Sequence, residues 1–231
     1  MRNIYLNGSY FSNNPTWDIE DSPWKAGQII KILRRNALNP SSICEVGCGA
    51  GEILNQLHSR LPQKTSFSGY EISPQAFSIC HPKSKDNLTF HLEDIIKSET
   101  PHFDVVMAID VIEHVENYLD FLRKLKPKGD YKIFHIPLDL SILSLIRNTP
   151  LLKLRKNVGH IHYFTKNLAL TALEDTGYTV KDYFYTLGSV DLPRNGFKQN
   201  LLKFCRKFFY VINQDAAATV LGGASLMILA E

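Results

Sequence analysis

Ser42-Ile43-Cys44-Glu45-Val46-Gly47-Cys48-Gly49-Ala50-Gly51 runs from a short apolar stretch directly into three alternating glycines. The apolar stretch has the length of a strand. From Gly51 to about Leu61 the pattern turns helical: Ile53, Leu54, Leu57 and Leu61 share one face, and Pro62 ends it. Strand, glycine turn and helix in that order are the opening unit of a parallel α/β sheet. Glycines in such a turn let the backbone bend sharply and let a ligand approach with no Cβ in the way. A dinucleotide fingerprint, GxGxxG, would place its third glycine at Glu52. A large acid there spoils helix–strand packing and repels a pyrophosphate, so the spacing argues against a nicotinamide cofactor.

Outward from this unit, short apolar runs alternate with helix-period segments. Ser66 to Tyr70 is a second strand, and Ser73-Pro74 supplies an N-cap and a first-turn proline for the helix after it. Leu88 to His91 is a third strand, and Asp104 to Ile109 is a continuous apolar run suited to a strand buried on both faces. A helix over Tyr118 to Leu125 and a turn at Lys126-Pro127-Lys128-Gly129 lead to a strand from Tyr131 to Ile136, stopped by Pro137. Thr165 to Asp175 is helical with Gly177 as its stop, and Val180 to Tyr185 and Ser225 to Ala230 are the last strands. The pattern predicts an α/β, Rossmann-like sheet of seven mostly parallel strands with helices on both faces, in one domain spanning 1–231.

Three segments stand outside the alternation. The N-terminal 1–40 carries Tyr10, Trp17, Trp24 and a helix from Ser22 to about Asn36, and reads as core packing or as a lid. Insertions at 138–164 and 188–223 read as a helical cap. The first holds Arg147, Lys153, Arg155 and Lys156; in the second, Leu201, Phe204, Cys205, Phe208 and Ile212 share a helical face opposite Lys203, Arg206 and Lys207. Such a basic amphipathic helix either packs with a solvated face or meets a membrane surface or a lipid-linked substrate.

The composition is that of an ordinary globular chain: 231 residues, 44% hydrophobic and 21% charged. The net charge of +3 is too small to argue for nucleic acid. Cys44, Cys48, Cys80 and Cys205 form no CxxC, so the cysteines read as reduced thiols and the expected compartment is cytoplasmic. Residues Met1 to Tyr10 lack a signal-peptide apolar core, and no stretch nears the ~20 apolar residues of a transmembrane helix.

The ExGxGxG string at Glu45 to Gly51 resembles motif I of the class I methyltransferases that use S-adenosylmethionine (SAM). Gly69-Tyr70-Glu71-Ile72-Ser73 resembles the second motif, and Phe90-His91-Leu92-Glu93-Asp94-Ile95 the segment after strand three. Phe103 to Val115, containing Asp110-Val111-Ile112-Glu113-His114, is similar to the fourth strand and its loop, and Gly159 to Thr165 to the segment before the sixth strand. The resemblance implies cofactor contacts from Glu45, Gly47, Cys48, Gly49, Gly51, Glu71, Ile72, Asp94, Ile95, Asp110 and Val111. Glu71 would take the ribose hydroxyls, Asp94 the adenine amino group, and the Ile95 amide the ring. Tyr70 departs from the family pattern, as does the long insertion before the last strand.

A sulfonium methyl is already activated, so the protein's task is to align a nucleophile and, for a hydroxyl acceptor, to remove a proton. His114, His160 and His162 are the candidate catalytic residues. Each has a plainer alternative: His114 as a loop-orienting residue, the other two as packing. The spacing of His160 and His162 puts both on one face of an extended segment, but no third ligand is assignable from sequence, so no metal is assigned. The function expected is methyl transfer from SAM, yielding S-adenosylhomocysteine (SAH), to a small molecule or glycan precursor at oxygen. An RNA or protein acceptor, and a SAM-binding module without turnover, are the competing readings.

Overall fold

The computed structural model describes residue 5 and residues 8–17, 19–99, 101–147, 149–191 and 206–231. Seven strands form one sheet: β1 (Ser42–Val46), β2 (Ser66–Glu71), β3 (Leu88–Leu92), β4 (Phe103–Ile109), β5 (Gly129–Pro137), β6 (Val180–Thr186) and β7 (Ser225–Ala230). Their order is β3-β2-β1-β4-β5-β7-β6. The first five are mutually parallel, and β7 runs antiparallel between β5 and β6. The strand order reverses between β1 and β4, the switch point where open α/β sheets hold their ligands beyond the carboxyl ends of the strands.

Side-chain alternation along the strands divides the core in two. On one face Ile43, Val105 and Met107 pack under Ala26, Ile29 and Leu33 of α2 (Ser22–Arg35) and Leu54 and Leu57 of α3 (Glu52–Arg60). On the other, Cys44, Val106, Phe134 and Ile228 meet α5 (Tyr118–Leu125) and α8 (Lys166–Asp175) through Leu122, Leu125, Ala169 and Leu173. Helix α4 (Pro74–Cys80) starts as its sequence predicts, with the Ser73 hydroxyl accepting from the Ala76 amide.

The remaining helices are α1 (Ser9–Asn13), α6 (Ile142–Arg147), α7 (Thr149–Asn157), α9 (Gly188–Asp191), α10 (206–212) and α11 (Gln214–Leu221). Leu201, Phe204 and Cys205 of the expected amphipathic face lie outside the described residues. Within α10 Phe208 and Ile212 are exposed at 58% and 65%, against the packed-face reading, and the buried residue is Tyr210, whose hydroxyl donates to Gly222 O at 3.4 Å. One tyrosine with a satisfied hydroxyl anchors this turn, so its neighbours are left outward. Among the described residues no helix is long and apolar enough to cross a membrane.

Candidate active site

The glycine turn after β1 holds Gly47, Gly49 and Gly51 at φ of 64°, 53° and 71°, left-handed values that side chains disfavour. The amides of Gly47 and Cys48 donate to Tyr70 O at 2.8 and 3.2 Å, tying the turn to the end of β2. Gly49 N donates to Glu71 Oε2, and Ile72 N and Ser73 N donate to Oε1, all at 2.8 Å. Burial pushes the Glu71 carboxyl up, and these three amides oppose that shift. At Gly51 space is decisive: a Cβ would stand 2.6 Å from Phe90 Cε1 and 2.7 Å from Cys80 Cβ.

Past β4, Asp110 takes a left-handed φ of 54° and turns its carboxylate between two cations or donors. Oδ1 lies 2.6 Å from His135 Nδ1 and Oδ2 lies 2.8 Å from Lys25 Nζ. Burial acts against this carboxylate, but His135 and Lys25 together hold it well below the usual carboxylate range. The far nitrogen of His135 meets Thr186 Oγ1 at 2.8 Å, so the ring is fixed at both ends.

The 3₁₀ turn Ile112–His114 follows. Glu113 is fully buried, and neither of its carboxyl oxygens has a hydrogen-bond partner among the described residues. Burial, and next the charge of Asp110, push this carboxyl well above its ordinary range. Its backbone carbonyl accepts from Ile161 N and His162 N at 2.9 and 3.1 Å, which lays the 159–162 segment against the turn. That docking brings the His160 ring edge-on to His114 with centroids 4.8 Å apart. His160 Nδ1 in turn lies 2.6 Å from Asp139 Oδ2. Burial, reinforced by His160, drives the His114 pKa down to about 4, so its ring is neutral at pH 7.

Glu71, Asp110, His135, Glu113, His114 and His160 line one cavity of about 920 Å³. Tyr5, Tyr10 and Trp17 form part of its wall, with ring centroids 4.9 Å (Tyr5–Tyr10) and 4.6 Å (Tyr10–Trp17) apart. The N-terminal segment is tied to the end of α7: Tyr5 Oη donates to Val158 O at 3.1 Å, and Asn14 Nδ2 to Asn157 O at 3.2 Å. Five buried side-chain polar atoms lack a partner among the described residues, on Trp17, Glu45, Glu113 and His114, and all four residues line this cavity. Buried polar atoms are normally paired, so such a concentration marks a place that receives polar ligands.

Of the residues expected from sequence, Glu45, Gly47, Cys48, Gly49, Glu71, Ile72, Asp110, Val111, His114 and His160 line the cavity. Gly51, Asp94, Ile95 and His162 stand outside it. Asp94 accepts from Ile96 N at 3.1 Å and pairs with Lys97, and Ile95 is buried in the core. His162 Nε2 lies 3.0 Å from Val115 O, and its ring meets Tyr118 edge-on at 4.7 Å. The histidine that partners His160 is therefore His114. Sequence reasoning passed over Glu113, Asp139, His135 and Lys25. Asp139 carried a signal, standing just past the carboxyl end of a strand, where open sheets bind ligands.

A family model described as a methyltransferase domain matches residues 24–182. The mitochondrial ubiquinone biosynthesis O-methyltransferase of Schizosaccharomyces pombe is 35% identical over 106 residues, 41% of this chain and 38% of that protein. The chain thus spans less than half the length of this curated relative. Two solved structures share the fold. The N-methyltransferase NodS of Bradyrhizobium japonicum, in complex with SAH, superposes with a TM-score of 0.61 at 13% identity, covering 99% of this chain and 97% of that one. The magnesium protoporphyrin IX methyltransferase of Synechocystis, with bound SAH, gives 0.60 at 16% identity, covering 92% and 84%.

Proposed function

The chain belongs to the SAM-dependent methyltransferase family, and from that premise we propose that it methylates an oxygen of a small-molecule acceptor. Glycan precursors fall within that acceptor class. The observation that carries the reading is the gathering on one cavity of all five buried polar atoms that lack a partner among the described residues.

The residues present fit SAM. Three left-handed glycines leave the turn's backbone bare, and Glu45 Oε2 and Trp17 Nε1 are a buried acceptor and a buried donor awaiting partners. In this reading Glu45 and Glu71 meet the cofactor's amino and hydroxyl donors, and the Gly47–Gly49 turn and Ile72 lie along it. Bound SAM supplies a methyl carbon on a positively charged sulfur, whose C–S bond breaks as the acceptor oxygen bonds to that carbon, leaving SAH.

The chain's own work is to hold the acceptor and move its proton. Asp139 accepts from Nδ1–H of His160, which leaves Nε2 as the basic atom of that ring. Neutral His114 and the carboxyl of Glu113 stand beside it, so a hydroxyl entering here meets further polar groups next to that basic nitrogen. The Tyr5–Tyr10–Trp17 wall, fastened to the end of α7, bounds the cavity and helps hold the acceptor in register.

A lipid-tailed acceptor is the second reading. Leu145, Ile146 and Leu152 of the 138–164 segment are exposed at 58%, 75% and 59%, close in sequence to Arg147, Lys153, Arg155 and Lys156. Co-sedimentation with anionic vesicles, lost on Ile146→Asp, separates this reading from a fully water-soluble acceptor.

The test of the proposal uses methyl-labelled SAM with fractions of hydroxylated small molecules, the products identified by mass spectrometry. A labelled methyl ether is expected. His160→Ala should slow its formation about 10²–10⁴-fold while SAH affinity stays within a few-fold. Label found only on RNA, on protein, or on nitrogen would overturn it.

A further inference from the structure

Glu45 stands one residue before the end of β1, in register with Gly69 of β2 on one side and Met107 of β4 on the other. The strand pleat puts it on the same face as Ile43, under α2. It is 2% exposed, it lines the cavity, and its Oε2 has no hydrogen-bond partner among the described residues. The titratable groups that act on it come from four elements: Lys25 of α2, Glu71 of β2, Cys80 of α4, and Asp110 past β4. All but Lys25 are acids, and the Lys25 Nζ is held 2.8 Å from Asp110 Oδ2. A buried carboxylate in such surroundings is costly unless a further cation joins it. Burial first, and then Glu71, Cys80 and Asp110 against Lys25, push the Glu45 carboxyl well above the ordinary carboxylate range. In the free chain it therefore keeps its proton at pH values where carboxylates are normally ionised.

We propose that this cavity takes up its cofactor by proton exchange: the ligand's ammonium pairs with Oε2 of Glu45, and the Glu45 proton leaves to solvent as it does so. The inference rests on the SAM reading and concerns how binding at that site is regulated. SAM and SAH share the amino-acid end of the molecule, so both bring the ammonium. The step balances: a carboxylic acid and an ammonium ion become a carboxylate–ammonium pair and one released proton. The complex thus holds one proton fewer than the free chain. Affinity then rises with pH, by up to about ten-fold per unit, and levels off once Glu45 ionises in the free chain by itself. The α-amino group of the ligand stays charged below about pH 7.7, so the effect is read at mildly acidic pH.

The experiment is calorimetry of the full chain at about pH 6.5 in phosphate and in Bis-Tris, whose ionisation enthalpies differ, so that the difference in heat counts the protons released. The ligands are SAH and 5′-methylthioadenosine, a thioether of the same nucleoside that lacks the amino-acid end. Contacts to the ribose are common to both, so protons moved there cancel. SAH should release about one proton more than methylthioadenosine, and gain about ten-fold in affinity over it between about pH 5.5 and 6.5. Glu45→Gln should remove both differences, with circular dichroism and methylthioadenosine binding showing that it is folded. If that variant does not fold, the two-ligand comparison in wild type carries the test. Equal proton release with both ligands, or an extra proton that persists in folded Glu45→Gln, overturns the proton exchange and leaves methyl transfer standing. Wild-type chain that binds neither ligand overturns the SAM reading, and the proton exchange with it.

Discussion

The Gly49 amide donates to Glu71 Oε2 at 2.8 Å, so the turn after β1 and the acid closing β2 form a single hydrogen-bonded unit. Glu71 Oε1 holds the next two amides, Ile72 and Ser73, in the same way. The acid is therefore a structural keystone of the cavity wall before any ligand arrives, and Oε2, which accepts a single bond, keeps acceptor capacity for one.

Glu71→Ala leaves three amides without their acceptor. A buried donor left unpaired costs about 1–3 kcal/mol, and water entering the cavity recovers part of it. We expect a loss of about 2 kcal/mol or more, read as about 4–8 °C in Tm. Glu71→Gln, which keeps one acceptor oxygen, should fall in between. Equal melting of all three proteins would show that the carboxylate does not brace the turn.

Two glycine substitutions separate space from backbone freedom. Gly51→Ala drives a Cβ to 2.6 Å from Phe90 Cε1 at a φ of 71° and should destabilise by about 2 kcal/mol or more. Gly27→Ala, inside α2 with nothing within 4 Å of the new Cβ, should stabilise by about 0.5–1 kcal/mol. Denaturant melts of the two proteins, compared at equal m-value, check both signs.

Glu45→Gln tests the cost of the buried carboxyl. Burial raises its pKa in the folded chain, so the group binds a proton more readily there than when unfolded. Its contribution to stability is fully present below the unfolded pKa of about 4.3 and is lost as pH rises through the raised folded pKa. At pH 7 Gln removes that liability. We expect Tm to rise by about 2–4 °C at neutral pH, the gain vanishing at pH 4, while SAH affinity falls. A gain that grows as pH falls would contradict the assignment.

His162→Ala distinguishes the two histidines of the Gly159–Thr165 segment. His162 contacts the carbonyls of Val115 and Glu116 and the ring of Tyr118. Its loss should cost about 1 kcal/mol of stability and leave SAH affinity unchanged within two-fold or so. Differential scanning calorimetry with an SAH titration reads both. A large affinity loss without a stability loss would place His162 in the site.

Most of the sheet was legible because its signals are local. The apolar run from Asp104 to Ile109, the Ser73 cap and the glycine turn each depend on residues adjacent in sequence, and β1, α5 and β7 fall where those signals place them. The His114–His160 contact was not legible, because it depends on two backbone hydrogen bonds between segments 46 or more residues apart. The period-two spacing pointed instead to His160 with His162, a pattern that holds only if the segment is a free extended strand. Asp94 and Ile95 read as cavity residues by resemblance, yet the Asp94 side chain turns to Ile96 N and Lys97, beside its own backbone.

The central claim is that the Gly47–Gly49 turn, Glu45 and Glu71 build a SAM site in the cavity that also holds His114 and His160. Calorimetric titration of the full chain with SAH, in wild type and in Glu45→Gln, tests it most directly. The account predicts one SAH per chain with a micromolar dissociation constant, weakened at least about ten-fold in the variant, which remains folded. Absence of binding to wild type, or the same affinity in both proteins, would contradict it.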